Sequence, residues 1–188
     1  KNFWFSCGFC IISKILLNAL SCIALCNEFG LDKNDIKNAL QKYKGAHRRF
    51  EYIGEFNDVK VYDDYGHHPT EINAVYDALS KKNYNHSWVI FQPHTYSRTK
   101  ELLDEFASSL MKFDNIVVTD IYAAREKNTY GISAKDIVEK IDSMGRTAYY
   151  IPNFDDIVEF IKRNAKPDDI VLTQGAGTIT QIGPKLVD

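Results

Sequence analysis

The chain has 188 residues, of which 45% are hydrophobic and 26% charged, and its formal net charge is -2 at pH 7. A chain of this length and composition can form one globular domain with a sizeable hydrophobic core. Basic and acidic residues are intermixed and form no basic stripe of the kind that nucleic-acid binders carry, so no nucleic-acid partner is expected.

All four cysteines lie in the first 26 residues, as Cys7, Cys10, Cys22 and Cys26. No later cysteine is available to pair with them across the fold, and this usage is typical of a reducing, cytoplasmic setting. Their spacings resemble two halves of a zinc site. However, the sequence between them lacks the histidines and turns that zinc knuckles need, so no metal is expected there.

Residues 3–26 form the most apolar stretch of the chain. A membrane span needs about 20 consecutive apolar residues, but Lys14 and Asn18 interrupt this stretch, and a charge at mid-membrane is costly. No signal-peptide cleavage site follows. The stretch therefore predicts a buried helix and no membrane span. Because the sequence begins at Lys1 without a methionine, we expect a fragment or a processed chain.

Two helices are predicted at the start of the chain, arranged as a hairpin. Apolar residues recur at helical spacing over residues 16–29, and Gly30 stands where a helix would take a left-handed stop. Residues 31–43 repeat the pattern, with Asp32 or Asn34 as the N-terminal cap and one apolar face.

Beyond residue 45, a short β-hairpin is followed by alternating strands and helices. The strands are apolar throughout, which is typical of strands covered by helices on both faces. The sequence therefore predicts an α/β fold with a Rossmann-like, doubly wound, mostly parallel sheet. The predicted elements are strands at 49–54 and 59–63, a helix from Pro69, a strand at 88–91, a helix from Arg98, a strand at 116–119, a helix from Ser133, a strand at 148–151, a helix from Asp155, a strand at 170–173 and a helix near Thr178.

Polar residues concentrate directly after the predicted strands. In open α/β sheets, ligands bind outside the carboxyl ends of the strands, so these segments are the candidate site. They comprise residues 63–71 (DDYGHHPTE), residues 92–99 (QPHTYSRT), Asp120, Tyr122 and Glu126, and the turn Gly175-Ala176-Gly177.

The first of these segments allows three interpretations. Asp63, Asp64, His67 and His68 are all metal-ligand types, but neighbouring residues seldom point at one ion, so no metal site is assigned. Pro69 suits the first position of a helix, which favours a structural strand-to-helix turn. From the residues alone, substrate contact and turn structure are equally favoured, and metal binding is a minor third interpretation.

The glycine turn at 175–177 supplies backbone amides before a helix, where an anion could dock. It lacks the lysine and hydroxyl residue of a P-loop, so a tight turn is the simpler interpretation, and the chain has no visible ATP-hydrolysing centre. Arg48, Arg49 and Arg98 stand beside predicted turns. Their guanidinium groups suit phosphate or carboxylate, with surface ion pairing as the alternative.

Four sequence segments together resemble the UDP-N-acetylmuramate:L-alanine ligase family, a group of Mur ligases: 45–51 (GAHRRFE), 63–71, 91–99 (FQPHTYSRT) and 175–179 (GAGTI). Their order and spacing match, and the resemblance extends from about Leu16 to the end. Residues 1–15 do not resemble the family. Lys14 and Ile15 stand where a His-Asn pair is usual, which puts nucleotide binding in doubt because that asparagine typically helps to hold the adenine.

The resemblance implies a three-domain enzyme of which this chain is the last part. Residues 1–44 would be a helical remnant of the central ATPase domain, and residues 45–188 the complete Rossmann-like C-terminal domain. The implied reaction joins L-alanine to UDP-N-acetylmuramate through an acyl phosphate in peptidoglycan synthesis. ATP and Mg²⁺ would serve the full-length enzyme, with metal ligands outside this chain. Without the N-terminal and central domains, the chain is expected to be inactive.

The resemblance also implies roles for individual residues. Arg49, with Arg48, would contact ATP phosphates, and Asp64 the nucleotide ribose. Arg98 would bind the alanine carboxylate, although one cation of the family is missing because Thr95 stands where arginine is frequent. The residues expected to contact the amino acid and the reacting carboxylate are Tyr65, His67, His94 and Arg98. The expected catalytic residues are Arg49, His67 and Arg98.

Three alternatives remain at this stage. The chain could be a fragment of the ligase that attaches a whole recycled peptide to the same sugar, although that family usually lacks the Phe-Gln-Pro-His segment found here at 91–94. It could be a stand-alone, non-catalytic α/β module that binds an anion or another ligand. It could also be a decayed or truncated gene product.

Overall fold

The computed structural model describes residues 8–43 and 46–188, with the side chains of 16–43 and 46–188. Contacts divide the chain between Ala46 and His47 into a smaller helical unit and a larger α/β unit. The interpretation of the two parts as a central-domain remnant and a complete C-terminal domain stays a prediction.

The helical unit contains α1 (Gly8–Glu28) and α2 (Lys33–Lys42). Gly30 adopts φ 72°, a left-handed conformation that ends α1 at low cost. Asp32 caps α2, because its Oδ1 accepts the backbone N–H of Asn34 at 2.8 Å. These features confirm the predicted helical hairpin.

The prediction of a buried first helix is wrong for residues 16–28, whose side chains are all exposed or partly exposed. Residues 3–7 of the apolar stretch lie outside the described part. Among the described residues of this unit, 8–43 and 46, α2 is the only helix that packs on α1, and a helix of 10 residues cannot cover one of 21. Among the described residues, no helix is long and apolar enough to cross a membrane.

The α/β unit begins with an antiparallel hairpin of β1 (Glu51–Phe56) and β2 (Val59–Asp64). Its turn is formed by Asn57 and Asp58, with φ of 47° and 64°. Asparagine and aspartate tolerate these left-handed conformations better than other non-glycine residues, and turns with two such residues match the twist of a hairpin.

The described part of the chain forms one six-stranded sheet in the order β1-β2-β6-β3-β4-β5. Only β1 runs antiparallel to its neighbour. The predicted α/β fold is therefore confirmed. The remaining elements are α3 (Pro69–Leu79), β3 (Ser87–Phe91), α4 (Tyr96–Glu101), α5 (Leu103–Leu110), β4 (Asn115–Val118), α6 (Ala134–Ser143), β5 (Tyr149–Tyr150), α7 (Phe154–Asn164), β6 (Ile170–Gln174), a 3₁₀ turn (Thr178–Gln181) and α8 (Ile182–Val187).

Two hydrophobic cores lie on opposite faces of the sheet. On one face, α3, α5 and α6 bury residues such as Ile72, Phe106 and Ile137. On the other, α7 and α8 bury residues such as Ile157 and Leu186. Each fully buried side chain of this size contributes about 1.5–3 kcal/mol relative to an exposed one. Because β6 lies between β2 and β3, and its following helix lies on the opposite face from theirs, a crevice opens at the carboxyl ends of these three strands.

Two elements differ from the prediction. The helix expected from Arg98 begins at Tyr96 and breaks at Leu102, whose φ of -110° and ψ of 26° are not helical, so it forms α4 and α5. The strand expected at 148–151 is reduced to Tyr149 and Tyr150, although the Ile151 N–H also donates to the Val118 carbonyl at 3.0 Å. The Ala148 N–H donates to the Asp142 carboxylate at 3.2 Å.

At the opposite end of the sheet from the crevice, the Asp169 carboxylate joins the amino-terminal ends of β3 and β6. It is 2% exposed. Oδ1 accepts the backbone N–H of His86 at 3.1 Å, and Oδ2 accepts Trp88 Nε1–H at 3.1 Å and the Lys166 N–H at 2.9 Å. A buried donor that loses its acceptor is costly, so this carboxylate stabilises the register of the two central strands.

We predict that Asp169→Asn lowers the free energy of unfolding by about 2–3 kcal/mol, because an amide NH₂ would replace one acceptor among buried donors. Urea denaturation measures this loss. Asp168→Asn is the matched control, since Asp168 is exposed at φ 67°, a conformation that asparagine adopts readily. Equal losses in the two variants would contradict the role of Asp169.

Candidate functional site

The candidate site lies in the crevice at the carboxyl ends of β2, β6 and β3. Asp63 and Asp64 end β2, Gln174 ends β6, and Gln92 follows β3. Parallel pairing aligns Asp64 with Gln174, and Gln174 in turn with Phe91. The segments that follow these strands therefore all begin at the same, carboxyl-terminal end of the sheet. The polar segments singled out in the sequence are thus brought together.

Arg48 belongs to a buried network of hydrogen bonds at this end of the sheet. Its Nε lies 2.8 Å from Asp63 Oδ2, and its Nη2 donates to the Gly175 carbonyl at 2.5 Å. Asp63 Oδ1 accepts the Thr173 hydroxyl at 2.5 Å. The side chains of Arg48 and Asp63 are only 12% and 1% exposed. A buried pair of this kind is strongly destabilising to break, so Arg48 ties the residues that precede β1 to the ends of β2 and β6.

Asp64 fixes the backbone on either side of this network. Oδ2 accepts the Phe50 N–H at 2.9 Å, and Oδ1 accepts the Gly66 N–H at 2.7 Å. Burial raises the pKa of Asp64, although these two N–H groups and Arg49 oppose the rise. At Gly66 a Cβ atom would lie 2.6 Å from Asp64 Oδ1 and 2.9 Å from Gln174 Nε2, so glycine is required for spacing.

Arg49 differs from Arg48 because its guanidinium is open to solvent. Its side chain is 56% exposed, and Nη1 lies 3.7 Å from Glu71 Oε1, a loose contact. Glu71 is engaged elsewhere, since its Oε2 accepts the N–H groups of His67 at 2.9 Å and His68 at 3.1 Å. Burial acts to raise the pKa of Glu71, but these hydrogen bonds and the positive charges of His67 and Arg49 lower it below its ordinary value.

Four aromatic rings form a row along the crevice. The ring centroids of Tyr65 and His67 lie 5.4 Å apart, those of His67 and His94 5.3 Å, and those of His94 and Tyr122 5.7 Å. Burial, and then the charges of His67 and Arg98, lower the pKa of His94, with Glu126 acting in the opposite direction. His94 is therefore neutral near pH 7 and presents an aromatic wall with a polar edge.

Arg98 lines a cleft of about 420 Å³ beside this row. Its Nη1 is buried and has no hydrogen-bond partner in the part of the chain that the structure describes, and the same holds for His94 Nδ1. A buried guanidinium N–H without an acceptor is costly, which indicates a site for an anionic group. The cleft is lined by His68, Thr95, Ser97, Arg98, Glu101, Leu102 and Glu126.

The three interpretations of the Asp63–His68 segment now separate by residue. Asp63 and Asp64 accept internal hydrogen bonds, and His68 caps α3, with Nδ1 accepting the Thr70 N–H at 3.3 Å. These residues build the turn. His67 lies beside His94 in the aromatic row, and its Nδ1 lies 3.1 Å from the Tyr65 carbonyl oxygen, so its binding role stays a prediction. Across residues 16–43 and 46–188, no cluster of three or more metal-binding side chains occurs.

The glycine turn at 175–177 is packed tightly against its neighbours. Gln92 Oε1 accepts the Ile179 N–H at 3.0 Å, and Gly175 N–H donates to the Asp64 carbonyl at 3.0 Å. A Cβ atom at Gly177 would lie 2.6 Å from Tyr122 Cγ and would also clash with Gln92 Oε1. This packing favours a tight turn over an anion site.

Sequence reasoning placed Tyr65, His67, His94 and Arg98 together, and the structure brings these residues to one side of the crevice. Which ligand each contacts stays a prediction. Three further residues of the site had no role assigned from the sequence, although each follows a predicted strand, and that position was the available signal. They are Gln92, Tyr122 and Glu126.

Comparisons with known proteins identify the family of the chain. A family described as "Mur ligase, glutamate ligase domain" matches residues 48–177. The UDP-N-acetylmuramate–L-alanine ligase of Acetivibrio thermocellus is 48% identical over 166 residues, which cover 88% of this chain and 35% of the relative.

Two solved structures are also similar. The UDP-N-acetylmuramate–alanine ligase of Thermotoga maritima has a TM-score of 0.72 and 29% identity, over 93% of this chain and 37% of that one. The murein peptide ligase of Psychrobacter arcticus has a TM-score of 0.65 and 26% identity, over 90% of this chain and 35% of that one. The chain thus spans little more than a third of the length of each. Because the family match covers more than half of its residues, the chain belongs to the Mur ligase family, in which it represents the C-terminal, glutamate ligase domain.

Proposed function

We propose that the chain is part of an ATP-dependent ligase that joins L-alanine to UDP-N-acetylmuramate, and that it supplies the amino-acid site and part of the nucleotide site. The observation that carries this proposal is the buried, unpartnered Nη1 of Arg98 beside His94. The 48% identity with a ligase of this name supports the choice of substrates.

The Arg98 cleft suits the carboxylate of an amino acid. A guanidinium can offer two parallel N–H groups to a carboxylate, and such bonds are stronger in a site that excludes water. Neutral His94 adds a polar ring edge without a second full charge, and His67 extends the wall toward Tyr65. An amino acid held here by its carboxylate would present its amine to the crevice.

Arg49 suits a phosphate or an acyl phosphate. Of the two neighbouring arginines, Arg49 has its guanidinium exposed to solvent. The guanidinium of Arg48 is bound to Asp63 and to the Gly175 carbonyl. In the proposed reaction ATP supplies the phosphoryl group that activates the muramate carboxylate, and the alanine amine then displaces phosphate. Negative charge gathers during both steps, and a cation aimed at it is stabilising. The roles proposed for Arg48 thus shift from phosphate contact to holding Arg49 in place.

Two parts of the proposal, the contact of Asp64 with the nucleotide ribose and the binding of Mg²⁺, need groups that the described residues do not place in the crevice. Asp64 is 3% exposed and its carboxylate accepts the N–H groups of Phe50 and Gly66, so a ribose hydroxyl would have to displace one of these groups to reach it. Mg²⁺ would offset phosphate charge, but within the described ranges no side-chain cluster is placed to hold it. Following the family resemblance, we assign its ligands to other parts of the ligase, together with the rest of the nucleotide site.

A second candidate function is attachment of a whole peptide to the same sugar, as the name of the murein peptide ligase of Psychrobacter arcticus suggests. Its TM-score and identity are below those of the alanine ligase from Thermotoga maritima. Competition between L-alanine and a muropeptide as amine donors distinguishes the two functions.

We predict that Arg98→Ala, introduced into the complete ligase that contains this chain, raises the KM for L-alanine about 10- to 100-fold and lowers kcat, because a charged hydrogen bond is worth about 1.5–3 kcal/mol. Steady-state phosphate release measures both constants. Arg163→Ala is the matched control, since Arg163 is 76% exposed and pairs with Glu159 on α7. Unchanged alanine kinetics in Arg98→Ala would remove the basis of the proposal.

We predict that the 188-residue chain alone shows neither ATPase nor ligase activity, because its sequence contains no P-loop to hold the transferred phosphate. Phosphate release is measured with homogeneous chain, ATP, Mg²⁺, UDP-N-acetylmuramate and L-alanine. The same assay with the complete ligase is the positive control. Alanine-dependent phosphate release by the chain alone would contradict the prediction.

We predict that the pKa of His94 lies below its ordinary value of about 6.5, and that it rises in Arg98→Ala because one neighbouring cation is removed. A lowered pKa means that the folded state favours neutral His94. Stability contributed by the neutral form is therefore present above pH 6.5 and is lost as pH falls through the pKa of the folded state. NMR titration of the His94 ring provides the measurement, and a pKa at or above the ordinary value in the unmodified chain would contradict the assignment.

A further inference from the structure

The loop between β4 and α6, residues 119–133, reaches across to the start of α4. Glu126 in this loop accepts the backbone N–H of Ser97 at 2.9 Å through Oε2, and the Ser97 hydroxyl through Oε1. Both carboxylate oxygens are thus bound to one residue that lies next to Arg98 in the chain. The hydrogen bonds from Ser97 lower the pKa of Glu126, which keeps the carboxylate ionised.

The same loop is joined to the β3–α4 connection at a second point. Thr95 N–H donates to the Tyr122 carbonyl at 2.9 Å, and Tyr122 N–H donates to the Pro93 carbonyl at 2.8 Å. The Tyr122 ring stacks on His94. The segment from Pro93 to Ser97 is therefore fixed along its length by residues 122–126.

The contacts from residues 122–126 matter because the residue that precedes α4 has an unfavourable backbone conformation. Thr95, its N-cap residue, has φ 66° and ψ 147°, a region that β-branched residues rarely adopt, and its side chain makes no capping hydrogen bond. Glu126 supplies the acceptor that Thr95 does not provide. A strained start of this kind persists only where the surroundings hold it.

Glu126 and Arg98 line the same cleft, yet they do not pair. No ion pair within 4.0 Å joins them, and Arg98 Nη1 has no hydrogen-bond partner among residues 16–43 and 46–188. Both oxygens of Glu126 accept hydrogen bonds from Ser97, so the acid supports the start of the helix while its carboxylate stays more than 4.0 Å from the guanidinium of Arg98.

We propose that Glu126 is a positioning residue that acts through Ser97 to hold the Arg98 guanidinium in place for the carboxylate of the incoming amino acid. The inference rests on the proposed function for its ligand, and on the described contacts for its geometry.

The first test measures Arg98 directly in the 188-residue chain by NMR of the Nη1–H proton, whose nitrogen is buried. In Glu126→Ala, the start of α4 loses its acceptor, so the exchange of this proton with water should rise at least about tenfold and its shift should move toward that of a solvent-exposed arginine. Glu126→Gln retains an oxygen for the Ser97 N–H and should recover most of the protection.

The control for this experiment is Glu139→Ala, which removes an exposed glutamate on α6. Circular dichroism confirms that each variant is folded. An Arg98 signal in folded Glu126→Ala that matches the unmodified chain would overturn the proposal. Should Glu126→Ala fail to fold, Ser97→Ala provides the test, since it removes one of the two hydrogen bonds and should give a smaller change in the same direction.

The second test separates this inference from the proposed function. In the complete ligase, Glu126→Ala should raise the KM for L-alanine about five- to twentyfold while the KM for ATP changes less than about twofold, and Glu126→Gln should restore most of the alanine affinity. If Arg98→Ala raises the alanine KM and Glu126→Ala does not, the positioning role is wrong. If neither variant changes it while the NMR result holds, the positioning role stands and the proposed amino-acid site is wrong.

Discussion

The buried pair of Arg48 and Asp63 is the interaction on which the candidate site depends. It joins the residues before β1 to the end of β2 and, through the Gly175 carbonyl and Thr173, to β6. Two buried charges are stable only when hydrogen bonds satisfy both of them. Here each of these hydrogen bonds also fixes the end of a strand or the segment before β1. The adjacent Asp64 sets the backbone at Phe50 and Gly66. Arg49 is therefore held toward the crevice by neighbours on both sides.

Buried polar groups at the two ends of the sheet differ in whether they have hydrogen-bond partners. At the amino end, Asp169 satisfies several donors, as is usual for buried polar groups. At the carboxyl end, Arg98 Nη1 and His94 Nδ1 are buried without partners in the described ranges. Unsatisfied groups of this kind are tolerated where a ligand completes them, and the doubly wound topology opens its crevice at the same end. The buried carboxylate at the amino end stabilises the sheet, and the unpartnered groups at the carboxyl end are those that the proposed ligand would complete.

Much of the fold follows from local pattern. Apolar strands between helical segments predicted the parallel sheet, and Gly30 with Asp32 predicted the hairpin turn. The break at Leu102 was missed because no glycine or proline marks it. In the site, strand-end position and the resemblance placed His67, His94 and Arg98 correctly beside one another. Arg48 to Gly175, 127 residues apart, and Ser97 to Glu126, 29 apart, are tertiary pairings that no local pattern encodes.

Gly177 illustrates how packing can restrict evolution. Its backbone, at φ -92° and ψ -142°, lies outside the main regions of non-glycine residues, and a Cβ atom would meet the Tyr122 ring and the Gln92 amide. The restriction therefore belongs to three positions jointly. A larger residue is accepted at 177 only where the side chains at both 92 and 122 give way, so substitutions at these three positions should occur as correlated sets.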